Sequence, residues 1–171
     1  MSDATLLEEM PSTNDLARID AAVAEGLRRA QHAGCAAPRL QDAVWELLLE
    51  AGDTLSRLPD RERGWLTAAS RGHWPDFLNE GTEAARVRRS PTGGAAIDRL
   101  DTVLAWLPKA AGAQPKRDLA ILFGLACGLR VVVLRRKIGC GRRTIYDVRD
   151  RGIARICGWL REQSGYCRQL R

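Results

Sequence analysis

A chain of 171 residues with 45% hydrophobic content is long enough for one domain of ordinary size or two small ones around a packed core, which excludes a disordered chain. Its formal charge of +6 hides a split: residues 116–171 hold 14 Lys and Arg against 4 Asp and Glu, a net +10, while the other 115 residues sum to −4. No stretch approaches the ~18 uninterrupted apolar residues of a membrane span, and the acidic start MSDATLLEEMPSTND lacks the basic-then-apolar order of a secretory signal, so a cytoplasmic protein without membrane contact is expected.

In chain order, nearly every periodic segment has helical spacing and none alternates as a strand does, which predicts an all-α fold. Ser12 or Thr13 caps a first helix running to about Ala33, with Leu16, Ile19, Val23 and Leu27 on one face and Gly34 as its stop. A second helix starts near Pro38 and runs to Leu58, presenting Leu40, Val44, Leu47, Leu48, Ala51 and Leu55 on a stripe suited to core or dimer contact. From Asp60 to Gly94 the chain is richer in Gly, Pro and charge, which predicts short helices and long connections. Ile97, Leu100, Val103, Leu104 and Leu107 mark another amphipathic helix over 95–107, followed by PKAAGAQP, the expected linker at Pro108 to Pro115. The organisation expected is therefore an acidic helical region for oligomerisation or partner binding (1–107), a linker (108–115) and a basic DNA-binding domain (116–171).

That basic segment carries the functional signal. A helix over about 116–127, with Leu119, Leu122, Phe123 and Ala126 inward and Gly128 at its end, precedes LRVVVLRRKIGCGRRTIYDVRDRGIARICGWL. This run reads as a helix, a turn at Ile138, Gly139, Cys140 and Gly141, and a longer helix beginning with Arg142 and Arg143, which together make a trihelical helix-turn-helix unit. Leu134, Ile138, Ile145 and Val148 stand where the unit needs apolar side chains, and Gly139 where its turn needs a residue tolerant of positive φ. Arg135 departs from the small residue common at its position, and Gly141 from the usual Ser or Thr cap.

At roughly 100° per residue the buried stripe turns Arg143, Tyr146, Asp147 and Asp150 most directly away from the core, with Arg142 and Arg149 nearer its edge. The expected partner is double-stranded DNA, with this helix in the major groove. Arg143 is the expected base contact, because a guanidinium can bond guanine O6 and N7 together; Asp147 or Asp150 would accept from a cytosine amino group or orient a neighbouring arginine. Arg142, Thr144 and Arg149 are expected on phosphates, and Arg135, Arg136 and Lys137 along the backbone.

Other chemistry finds little support. Cys35, Cys127, Cys140, Cys157 and Cys167 contain no Cys-x-x-Cys pair and read as reduced core residues, and His32 and His73 stand far from them and from each other, so neither a metal nor a cofactor is expected. GCGRRT at 139–144 and PTGGAA at 91–96 lack the spacing and the Lys-Ser/Thr end of a phosphate-binding loop. Asp98 and Asp101 share a helix face but flank Arg99, which reads as a solvated surface; Glu62 and His73 have nothing that brings them together; no enzyme is expected. Trp106 and Trp159 continue apolar stripes and read as core, whereas Trp65 and Trp74 lie in the irregular middle.

The segment KIGCGRRTIYDVRDRGIARICGWL resembles the DNA-reading end of sigma-like and recombinase-like helix-turn-helix proteins, over about a third of the chain. The whole order, with GHWPDF in its first half, resembles small helix-turn-helix proteins that accompany phages, prophages and gene-transfer particles of alphaproteobacteria. The resemblance implies a DNA-binding role in a mobile element, either controlling transcription or marking DNA for packaging, and no catalytic residue. One such module binds weakly, so the acidic helices are expected to supply a homo-oligomer or a contact with RNA polymerase or packaging machinery.

Overall fold

A computed structural model of the chain describes residues 12–58 and 93–170, and every regular element among them is helical. The expectations that fall on Met1 to Pro11 and on Asp60 to Thr92, including Glu62, Trp65, His73 and Trp74, lie outside the described residues.

The first helix, α1, covers Thr13–His32. Ser12 caps it reciprocally: its Oγ accepts from the Asp15 backbone N–H at 3.2 Å, and the Asp15 carboxylate accepts from the Ser12 N–H at 3.2 Å. Helix α2 covers Leu40–Arg57, beginning two residues beyond Pro38, because the Asp42 carboxylate accepts from the Arg39 N–H at 2.8 Å and makes Arg39 the cap. Helix α3 covers Gly94–Ala110, α4 Pro115–Ala126, α5 Val131–Ile138, α6 Arg142–Gln163 and α7 Gly165–Gln169. Among the described residues no helix is long and apolar enough to cross a membrane.

The linker expected at Pro108 to Pro115 is shorter than its composition suggests. Helix α3 continues through Pro108 to Ala110, and only residues 111–114 connect it to α4. The last turn holds because Ala110 is 2% exposed against α6, where its carbonyl accepts from Arg155 Nη1 at 3.2 Å. Tertiary contact at this turn outweighs the breaking tendency of an exposed proline.

The acidic and basic segments also share one core. A principal cluster joins Ile19 and Val23 of α1, Val44, Leu47 and Leu48 of α2, Leu100, Val103 and Trp106 of α3, Phe123 of α4, and Ile153, Ile156 and Leu160 of α6. A smaller cluster joins Ile121 of α4, Leu134 of α5, and Ile145 and Val148 of α6. Helices α4 and α6 thus bury one part of their surface in each cluster, and at about 1.5–3 kcal/mol for each buried large aliphatic side chain they couple the two firmly. Helix α2 seats this arrangement at Gly52: a Cβ there would lie 2.5 Å from the Ala126 carbonyl oxygen, closer than real Cβ contacts come, so glycine is what lets α2 meet the end of α4.

Polar contacts stitch the other helices together. Glu50 of α2, with a side chain 8% exposed, accepts from Arg99 of α3 through Nε at 3.0 Å and Nη2 at 2.7 Å, and from Arg29 of α1 at 2.6 Å. The Glu50 carboxylate pushes Arg99 above the ordinary arginine range. Arg99, flanked in sequence by Asp98 and Asp101, bonds Glu50 and so bridges α2 and α3. Ser164 donates from Oγ to Asp20 of α1 and accepts from the Cys167 N–H at 3.2 Å, which ties α7 back to α1.

Candidate nucleic-acid interface

Leu134, 0% exposed, anchors α5 in the smaller cluster with Ile121, Ile145 and Val148, while Leu125, Val131, Ile138 and Cys140 pack around them. This anchoring turns Arg135, Arg136 and Lys137 into solvent at the carboxyl end of α5, where cations also complement the helix dipole. Gly139 then reverses the chain at φ +72°, with its N–H donating to the Arg135 carbonyl at 2.9 Å. A side chain rarely adopts that backbone conformation, so the turn depends on glycine.

Helix α6 opens with Gly141, which offers no side-chain cap, and no acidic residue occupies its first turn. The positive end of a 22-residue helix is therefore left to the exposed Arg142 and Arg143. The Arg143 side chain is 95% exposed, and its Nε lies 3.8 Å from Asp147 Oδ2, a weak exposed pair. Asp147 and Asp150 are exposed along the same face, and Thr144 is half-buried at its side.

Tyr146 and Arg149 are more enclosed than helical spacing alone suggests. Tyr146 is half-buried, with the Arg142 guanidinium 5.6 Å and the Arg149 guanidinium 5.1 Å from its ring centroid. Arg149 also lies 5.5 Å from the Trp45 ring of α2, donates from Nε to Asp150 Oδ1 at 2.8 Å and pairs its Nη2 with the same oxygen at 2.7 Å. This intramolecular set forms because α2 packs against the flank of α6 where the spacing left an open edge.

Two exposed arginines escaped the sequence reading. Arg151 continues the Arg143 and Asp147 face one turn further and donates from Nε to the Asp147 carbonyl at 3.1 Å; its spacing of four from Asp147 was the available signal. Arg130 is exposed as the N-cap of α5. Beside them, Val132 and Val133 are also exposed.

Elsewhere, Asp98, Asp101, Asp15 and Arg18 line an open cleft of about 640 Å³ between α1 and α3, together with Trp106 and Trp159. Trp106 is a core residue as expected, whereas Trp159 is half-buried with the Lys109 ammonium 5.5 Å from its ring. Cys157 and Cys167 are buried, and Cys35, Cys127 and Cys140 half-buried. Burial pushes the Cys157 thiol up to about 11, which keeps it protonated at neutral pH. Among the described residues no group of three His, Cys, Asp or Glu is placed to hold a metal ion.

Comparison with protein-family models, with curated proteins and with solved structures found no match.

Proposed function

We propose that α4, α5 and α6 form a trihelical helix-turn-helix and that the protein binds double-stranded DNA with the first turns of α6 in the major groove. The observation that carries this reading is Arg143, 95% exposed in the uncapped first turn of α6 and paired only weakly. A guanidinium so placed is free to form the bidentate contact that guanine offers in the major groove. Arg142 and Thr144 beside it suit phosphates, and Arg135, Arg136 and Lys137 on α5 suit the flanking backbone, with Arg130 and Arg151 extending the basic surface. Asp147 and Asp150 temper the positive field on the same face and favour selective over indiscriminate contact. The sequence resemblance makes the proposed role a transcriptional regulator of phage or mobile-element type, and the role of a packaging subunit that recognises DNA would use the same surface. A dimer on an inverted repeat would support the regulator; a ring of many subunits would support packaging.

The test is fluorescence anisotropy of a labelled random-sequence duplex across a salt series, with intact protein and with the double variant Arg142→Ala/Arg143→Ala, both checked by circular dichroism. Affinity that falls steeply with salt, and a variant whose log-log salt slope is shallower by up to about two, supports the proposal. No binding by the folded protein at low salt refutes it. A second reading is favoured by Val132, 63% exposed beside Arg136: a basic and apolar surface of this kind also suits an acidic protein partner, which duplex DNA would then fail to displace.

A further inference from the structure

The Trp45, Arg149, Tyr146 and Arg142 side chains form a continuous stack that the DNA-binding reading alone does not use. It begins on α2, in the acidic part of the chain, and ends at the first residue of α6. The Arg149 guanidinium is 5.5 Å from the Trp45 ring and 5.1 Å from the Tyr146 ring, while Asp150 Oδ1 accepts a hydrogen bond from its Nε and forms an ion pair with its Nη2 at 2.7 Å. On the other side, the Arg142 guanidinium is 5.6 Å from the same Tyr146 ring. The Arg149 side chain is only 30% exposed, against 95% for Arg143.

We infer that Arg149 is a positioning residue of the DNA interface: held by Trp45 and Asp150, it sets the Tyr146 ring and through it Arg142, so that α2 completes the interface that α6 presents. The inference rests on the DNA-binding reading and specifies how that surface is organised. A planar guanidinium stacks on aromatic faces and a lysine ammonium does not do so equivalently, so the charge of Arg149 is separable from its geometry. A phosphate contact needs the charge; a positioning residue needs the plane. Trp45, in turn, is needed only as the ring beneath Arg149.

The experiment uses the full chain and random-sequence duplex DNA, recording affinity and its salt dependence for Arg149→Lys, Arg149→Gln, Trp45→Leu, Trp45→Phe and Arg142→Ala. Arg149→Lys and Trp45→Leu should each weaken binding by roughly fivefold, the scale of a lost cation–π contact, with the salt slope unchanged. Trp45→Phe should retain most of the affinity, and Arg142→Ala should make the slope shallower by about one. Because Trp45 packs against the principal core, Arg149→Lys, which leaves that core intact, carries the decision should Trp45→Leu unfold. Wild-type affinity in Arg149→Lys together with a slope shallower by about one in Arg149→Gln would make Arg149 a phosphate contact and overturn the inference. A folded wild type that binds no duplex would remove the DNA reading and this inference together, whereas a wild type that binds and a Trp45→Leu variant that matches it would overturn the inference alone. Independently of DNA, the Arg149 Nε–H proton resonance should move when Trp45 becomes leucine, since a nearby indole shifts it; an unmoved resonance in the folded variant refutes the stack.

Discussion

Replacing Gly52 with alanine tests the contact that seats α2 against the end of α4. The added Cβ would lie 2.5 Å from the Ala126 carbonyl oxygen, 2.7 Å from its carbonyl carbon and 2.9 Å from the Cys127 nitrogen. All three are backbone atoms, so no rotamer change relieves the clash and one helix must shift. Overpacking of this kind costs about 1–3 kcal/mol, and the rigid neighbours place Gly52 toward the upper part of that range. Alanine in a helix interior returns about 1 kcal/mol over glycine, which leaves a net loss of about 1–2 kcal/mol. For a chain of this length the melting temperature should fall by about 2–8 °C. Gly158 in α6 supplies the control, since its substitution meets nothing within 4 Å. Gly158→Ala should gain the propensity without the clash and melt about 2–4 °C higher. Thermal melts of both variants followed by far-UV circular dichroism make the comparison, with urea titration as a check on the sign. A Gly52→Ala protein that melts at or above the wild type would refute the close approach of α2 and α4.

Two further predictions concern the turn and the core. Gly139→Ala forces an alanine to φ +72° and should cost roughly 1–2 kcal/mol by urea unfolding, while Gly139→Asn, which tolerates that region better, should cost less; equal stability of both with the wild type would contradict the turn geometry. For Cys157, the folded thiol is pushed up to about 11 from 9.0, so its contribution to stability is complete below about pH 9 and is lost as pH rises through about 11. The wild type should therefore lose melting temperature more steeply than Cys157→Ala over that interval, and parallel curves would count against a buried, protonated thiol.

Much of the secondary structure is legible in the chain itself, because helical periodicity and caps are local properties. The capping box at Ser12 and Asp15, the stripe from Val44 to Leu48, the stop after Ile138 and the start at Arg142 are all written within a few residues of where they act. The outward placement of Arg143, Asp147 and Asp150 follows from the same periodicity, since Ile145 and Val148 define the buried side of that helix.

Burial on two sides of one helix was not legible. Ile121 points into the small cluster while Leu122 and Phe123 point into the large one, and spacing within α4 does not say which neighbours cover each side. For the same reason the charge boundary near residue 116 marks no structural boundary: α6 needs the hydrophobic faces of α2 and α3 to bury Ile153, Ile156 and Leu160, whatever the charges on their outer surfaces. Pro108 reads as a break in sequence, yet Ala110 continues the helix because α6 supplies it with buried contact and a hydrogen bond. The angle of Arg149 on an isolated helix sets it near the edge of the buried stripe, and only the arrival of Trp45 from a position 104 residues earlier gives it an internal contact. Local pattern determined which segments are helices and which faces are apolar; long-range packing decided which faces meet and which charged groups remain free for a partner.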